Sequence, residues 1–372
     1  MKKILCLLAG LSLLTVPAFA QTIRIGLMAP MTGSWASEGQ DMRDIVTLMA
    51  DEVNAKGGVL GKKVEIVVED DAGDPRAAAL AAQKLATRKV VAVIGTYGSS
   101  VAEAAQNIYD DFEIIQVANG ATSNRLTEKG LPYFFRTCPK NDEQATVAAK
   151  ALKSMGFSKI AVLHDNTSYA KGLADDARKF IGELTEAKIV FFDALTPGER
   201  DFNTILTRMR AASPDVILFT GYYPEAGLLL RQKMEMGWDV PMMGGDATNN
   251  PDLVDIAGKQ AAAGFYFLSP PVPQDLPTPE AKAFLDAFQK KYGKLPGSIW
   301  AVLAGDAFTT IVKSIEGSGS TKTKDVAAYM HTKLKDMPAL TGTISFNSAG
   351  DRIGDVYRVY QVSSEGAFVL MP

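Results

Sequence analysis

Short apolar runs alternate with helix-like stretches along almost the whole chain, and this most limits what it can fold into. Lys89 to Ile94 is β-branched and nearly uncharged after its first residue, as a parallel strand buried on both faces must be. It stops at Gly95-Thr96-Tyr97-Gly98-Ser99-Ser100, and Val101 to Tyr109 then has helical spacing, with Ser99 or Ser100 expected as the N-cap. A second run, Glu113 to Ala118, ends in the same way at Asn119-Gly120-Ala121-Thr122-Ser123. The pattern recurs from residue 159 onward. Strands are expected at Lys159–His164, Lys188–Ala194, Val216–Thr220, Pro241–Met243 and Phe265–Leu268, with helices between them. Alternation on both sides of about residue 140 predicts an α/β protein of two similar, Rossmann-like lobes.

Strand ends are where such sheets bind small molecules, because fresh helix N-termini point unpaired N–H groups outward there. The strand-end residues Ser99, Gly120, Thr122, Tyr169, Tyr222 and Asp246 offer hydroxyls, a carbonyl and one carboxylate. Taken singly, each also fits an ordinary turn or core edge. Jointly they form a half that suits a carboxylate and a half that suits an ammonium, as a zwitterion requires.

Other motifs are weaker than they look. Lys56-Gly57-Gly58-Val59-Leu60-Gly61-Lys62 lacks the spacing and the Ser or Thr of a phosphate loop. Asp70-Asp71-Ala72-Gly73-Asp74-Pro75 lacks the ligand alternation of a calcium loop, and Asp74 with Pro75 reads instead as a helix start. The chain has only two histidines; His164 adjoins Asp165, without a nucleophile elbow. No catalytic residue, metal site or cofactor is expected.

Met1 to Ala20 reads as a cleaved signal peptide, with Lys2-Lys3, an apolar stretch and Ala18-Phe19-Ala20 before the cut. Its removal takes 39 basic residues to 37 against 42 acidic ones, a net charge of about −5 that gives no reason to expect nucleic acid. Cys6 leaves with it, so Cys138 remains alone and no internal disulfide can form. No membrane insertion is expected after residue 20.

At this point the chain resembles the branched-chain amino-acid-binding proteins of periplasmic ABC transporters, which have the type I periplasmic-binding fold. Met31-Thr32-Gly33, Asn54-Ala55-Lys56-Gly57-Gly58, Val93-Ile94-Gly95, Ser99-Ser100, Ala121-Thr122, Tyr169 with Gly172-Leu173-Ala174, and Gly221-Tyr222-Tyr223-Pro224-Glu225 carry the likeness. The resemblance implies two lobes joined by three hinge crossovers, near Arg136–Lys140, Leu268–Pro271 and Phe346–Arg352. Residues 21–138 with 270–348 would make one lobe, and 139–269 with 349–372 the other. It further implies that Ser99 and nearby N–H groups, with Thr122, hold an α-carboxylate. The Gly120 carbonyl, Thr122 and Asp246 would hold the α-ammonium, with Ala121 alongside and Tyr169 and Tyr222 closing over the ligand. The protein would be a periplasmic monomer delivering an amino acid to an inner-membrane permease and its ATPase. A ligand sensor, or a binder of an aromatic acid or amide, is the alternative.

Two departures from that family stand out. Relatives often pair cysteines where Gly73 and Gly98 stand here. The side-chain end of the cleft is also altered: Glu38 and Ile299 occupy positions expected to be aromatic, with Trp35 and Tyr97 nearby. At a helix start, Glu38 is expected first as a solvated charge favoured by the helix dipole, and second as a contact to a polar or basic ligand side chain.

Overall fold

The computed structural model describes residues 22–372 apart from Pro197, Asp355 and Val356; the expected signal peptide, Met1 to Ala20, lies outside the described residues. In the first half, β1 (Ile23–Ala29), α1 (Ala36–Ala55), β2 (Val64–Asp70), α2 (Pro75–Thr87), β3 (Ala92–Ile94), α3 (Ser99–Asp111), β4 (Ile115–Ala118), α4 (Arg125–Glu128) and β5 (Phe134–Arg136) follow one another. Their strands form a parallel sheet in the order β2-β1-β3-β4-β5.

The second half repeats this plan. After α5 (Asn141–Ser154) come β6 (Lys159–His164), α6 (Ser168–Leu184), β7 (Lys188–Ala194), α7 (Asn203–Ala211), β8 (Val216–Thr220), α8 (Tyr223–Glu235) and β9 (Met242–Gly244). The short helices α9 (Asp252–Ala257) and α10 (Lys259–Ala262) lead to β10 (Tyr266–Ser269). The chain then builds α11 (Pro279–Tyr292), α12 (Ile299–Ser318), α13 (Thr323–Thr332) and the β11 (Met337–Ala339)–β12 (Gly342–Ile344) hairpin. It returns to the second sheet as antiparallel β13 (Arg358–Val362) and β14 (Phe368–Leu370), giving the order β14-β13-β10-β9-β8-β6-β7.

Both sheets therefore share one doubly wound strand order, which reverses between β1 and β3 in one and between β6 and β8 in the other. Strands β3, β4 and β8 are buried throughout, which accounts for their continuous apolar runs. Helix α12 is apolar nearly all round because α1, α13 and the first sheet enclose it.

Most elements lie within two or three residues of where the sequence puts them. Asp74 caps α2 as expected, accepting from the Arg76 and Ala77 N–H groups at 2.8 and 2.9 Å. Ser99 and Ser100 are not the cap of α3. Gly98 holds that position, and Ser99 opens the helix itself. The sequence reading assigns no element to 141–154, where α5 stands; its buried face is built mainly from Ala145, Ala148, Ala149, Ala151 and Leu152, a muted apolar signal. Strand β13 is seen from Arg358, and Asp355 and Val356 shortly before it lie outside the described residues.

Between the sheets, two crossing segments run side by side. The Arg136 N–H donates to the Gly350 carbonyl at 3.0 Å, and the Arg136 guanidinium pairs with Asp351 at 2.7 Å. Arg136 is wholly buried, and it also donates to the carbonyls of Ala121 and Ser123 at 3.2 and 2.9 Å. A fixed charge beneath the β4 loop thus holds the backbone on either side of Thr122.

Candidate functional site

The strand-end residues singled out in the sequence face one another across the two sheets. Trp35 follows β1, Tyr97 and Ser99 follow β3, and Gly120 to Thr122 follow β4. From the opposite sheet, Tyr169 follows β6, Tyr222 follows β8 and Asp246 follows β9. Trp35 stacks on Tyr222 with ring centroids 4.1 Å apart, and Tyr97 lies 5.5 Å from Trp35 and 5.6 Å from Tyr222. Tyr169 approaches Tyr222 at 5.3 Å, and Trp300 approaches Tyr97 at 6.3 Å. These rings form one aromatic cluster between the lobes.

The hydrogen bonds sort the polar groups by what each has left to offer. Ser99 Oγ accepts from the Ser123 N–H at 3.1 Å, so its own hydrogen is free to donate, as a carboxylate requires. Thr122 is the reverse. Its hydroxyl donates at 2.8 Å to Asn141 Oδ1, whose orientation is set by Asn141 Nδ2 donating to the Tyr169 carbonyl at 3.0 Å. Thr122 Oγ1 then keeps only lone pairs, which suit an ammonium; the resemblance had assigned it to both halves. The Ser99 N–H, at the start of α3, is met by the Tyr222 hydroxyl. Gly120 has to lack a side chain, since a Cβ there would lie 2.9 Å from the Tyr97 ring. Ala121 is fully buried beside it.

Asp246 is 1 % exposed. Tyr357 donates to its Oδ2 at 2.6 Å, and Tyr169, the Ala247 N–H and Gln144 also face it, all of them neutral. Burial pushes its pKa up to about 6, against the lowering effect of these hydrogen bonds, so it is a carboxylate at neutral pH. Its loop is tied across the cleft, with Tyr97 OH donating to the Ala247 carbonyl at 3.3 Å. The same burial raises the Tyr97, Tyr169 and Tyr222 hydroxyls well above their usual pKa, so they stay protonated.

Glu38 corrects the first expectation. It is 1 % exposed, not solvated: Ser298 Oγ donates to Oε2 at 2.6 Å and Asn250 Nδ2 donates to Oε1 at 2.7 Å. Ile299 is fully buried in the same core, at the first turn of α12. Trp35 accounts for the two glycines at the cysteine positions. A Cβ on Gly73 would sit 2.7 Å from its ring, and one on Gly98 2.8 Å, so larger residues there would displace it.

Asn141, Gln144, Asn250, Ser298, Tyr357 and the positioning residue Arg136 were not singled out in the sequence. Each is a common polar residue whose partner is at least 19 positions away or, for Arg136, on another loop, and no local motif marks it. His164 and Asp165 do not form a catalytic pair. His164 Nδ1 accepts from the Asn166 N–H at 3.0 Å, and Asp165 accepts from the Thr167 N–H at 2.9 Å. Asp70 accepts from the N–H groups of Met31, Thr32 and Ala72, Asp71 from the Gly73 N–H and the Thr96 hydroxyl, and Asp74 caps α2.

Two facing doubly wound lobes, with polar strand ends gathered in the crevice between them, define a two-lobed small-molecule binding protein of the type I periplasmic-binding fold. Residues 22–367 match the family described as periplasmic binding protein, and this chain belongs to it. It is 35 % identical to the leucine-, isoleucine-, valine-, threonine- and alanine-binding protein of Pseudomonas aeruginosa over 92 % of this chain and 90 % of that one. It is 33 % identical to the Leu/Ile/Val-binding protein BraC3 of Rhizobium johnstonii, covering 94 % of each. Among solved structures it resembles the branched-chain amino acid transporter substrate-binding protein LivJ of Streptococcus pneumoniae in complex with isoleucine. The TM-score is 0.86, with 30 % identity over 94 % of this chain and 99 % of that one.

Proposed function

We propose that this protein is an exported, non-enzymatic substrate-binding protein. It captures an α-amino acid between its lobes and hands it to an inner-membrane ABC permease and its ATPase. The lobes divide as the sequence reading has them, and the mature chain starts after Ala20 in the periplasm. Ser99 and the N-terminus of α3 take the α-carboxylate. The Gly120 carbonyl, Thr122 and Asp246 take the α-ammonium, and the Trp35, Tyr97, Tyr169 and Tyr222 rings enclose the rest.

One observation carries this reading: a buried carboxylate, Asp246, has hydrogen-bond partners that are all neutral and no ion pair among the described residues, while an oppositely suited half-site lies across the crevice. An incoming ammonium supplies the missing counter-charge. The names of the relatives favour an aliphatic amino acid such as leucine.

The test is a thermal-shift screen of the mature protein against the twenty amino acids, with the matching keto acids beside them. Binding raises the unfolding temperature by mass action, so leucine, isoleucine or valine should shift it and their keto acids should not. A keto acid as effective as its amino acid would remove the ammonium half of the site.

A further inference from the structure

The cleft is fastened a second time, by residues other than those proposed to hold the head group. Helix α1 presents Ser37 and Glu38 to the opposite lobe. Ser37 Oγ donates to Asp252 at 2.7 Å and Tyr223 OH donates to the Ser34 carbonyl at 2.8 Å, while Asn250 reaches Glu38. Asn250 is only four residues after Asp246, on the same short loop. Whatever seats Asp246 therefore brings Asn250 to Glu38.

Around Glu38 the charges are one-sided. Asp41 on its own helix and Asp252 on α9 both oppose its ionisation, and Lys294 is engaged with Asp41 at 2.6 Å. Its remaining neighbours are the neutral Ser298, Asn250, Tyr97 and Tyr223. An uncharged carboxyl suits this setting. Each oxygen accepts one hydrogen bond from a neutral donor, Oε1 from Asn250 Nδ2 and Oε2 from Ser298 Oγ, which in turn accepts from the Trp300 N–H at 3.2 Å, and among the described residues no cation reaches either.

We infer that Glu38 is a positioning residue: an uncharged carboxyl clasp that, through Asn250, holds the lobes together and sets how long a bound ligand is retained. Burial pushes its pKa up to about 8. Asp41 stays beside Glu38 in either state, but closure buries Glu38 against the opposite lobe and brings up Asp252, so an ionised Glu38 is penalised more in the closed state, which loses ground as pH rises through about 8. Only the choice of L-leucine as probe rests on the amino-acid reading.

The test uses spin labels at Leu80→Cys on α2 and Met234→Cys on α8, both exposed and on different lobes, since Cys138 is buried and stays unlabelled. Interlobe distances are measured by pulsed electron resonance between pH 6.5 and 9, without ligand and with L-leucine. In the labelled parent the closed fraction should fall as pH passes about 8. In Glu38→Gln, whose amide repeats the uncharged hydrogen bonds, it should not. Asn250→Ala should be more open at every pH and release L-leucine faster by about five- to a hundredfold, with the rank order of amino acids unchanged.

Identical pH profiles for the parent and Glu38→Gln would overturn the clasp. So would a changed ligand order in Glu38→Gln, which would make Glu38 a ligand contact. If Asn250→Ala does not fold, the Glu38→Gln comparison decides alone. A parent that binds no amino acid fails the proposed function, while the unliganded distances still test the clasp.

Discussion

The cleft has a buried acid at each end, and the two behave differently although each is about 1 % exposed. Asp246 receives hydrogen bonds from Tyr357, Tyr169, the Ala247 N–H and Gln144, and its pKa rises only to about 6. Glu38 has two donors and two neighbouring acids, Asp41 and Asp252, and rises to about 8. Burial is the largest cause opposing charge in both places. Donors, weighed against nearby like charges, decide which acid keeps its proton at neutral pH. One end therefore carries a charge at neutral pH; the other is a neutral hydrogen-bonding group.

The largest effect should come from breaking the charged end. Asp246→Ala removes the one carboxylate assigned to the ammonium, and losing a partner of a buried charge pair costs ~2–5 kcal/mol, or roughly 30- to several-thousand-fold in affinity. Calorimetric titration with leucine should show near-abolished binding by a variant whose circular dichroism is unchanged. Unaltered affinity would take Asp246 out of the site.

The neutral end predicts a pH-dependent stability of a definite sign. Glu38 has a folded pKa of about 8 against an ordinary 4.5. Below about 4.5 both states are protonated. Between about 4.5 and 8 the unfolded chain ionises and the folded one does not, so stability falls as pH rises through that window and levels off above it. Glu38→Gln has nothing to titrate and should be the more stable protein at pH 8, by the order of 1–4 kcal/mol, in urea unfolding of the unliganded protein. Curves that stay parallel from pH 5 to 8 would mean that Glu38 is charged like Asp246, and the contrast between the two ends would vanish.

The same contrast governs what can be read from sequence. The Asp246 end is made by strand ends, where a β-branched run stops at Gly, Ser or Thr. Local pattern therefore places Ser99, Gly120, Thr122, Tyr169, Tyr222 and Asp246 without knowledge of the fold. The far end is made by pairs such as Glu38 with Asn250 and with Ser298, 212 and 260 residues apart. Local rules see Glu38 only as an acid in a first helical turn, and so assign it to solvent. Helix α5 is missed for a related reason. Alanines on its inner face bury it without a strong apolar period, and Asn141 and Gln144 are missed with it.

Trp35 is the last link between the ends and provides the mildest test. Its ring stacks on Tyr222 on one side and lies against Gly73 and Gly98, whose lack of side chains leaves it room. Gly98 has φ −86° and ψ 137°, which alanine adopts without strain, so Gly98→Ala adds only a methyl group 2.8 Å from that ring. Overpacking of this kind typically costs ~1–3 kcal/mol. Trp35 can relieve part of it by moving, and leucine affinity should drop about tenfold, with a shift in tryptophan emission. In a Trp35→Ala background the same substitution should have much less further effect, because the ring atoms it meets most closely are gone and only the Val101 side chain, at 3.2 Å, remains. Equal losses in both backgrounds would trace the defect to the start of α3 rather than to the ring, and would leave the two ends of the cleft uncoupled.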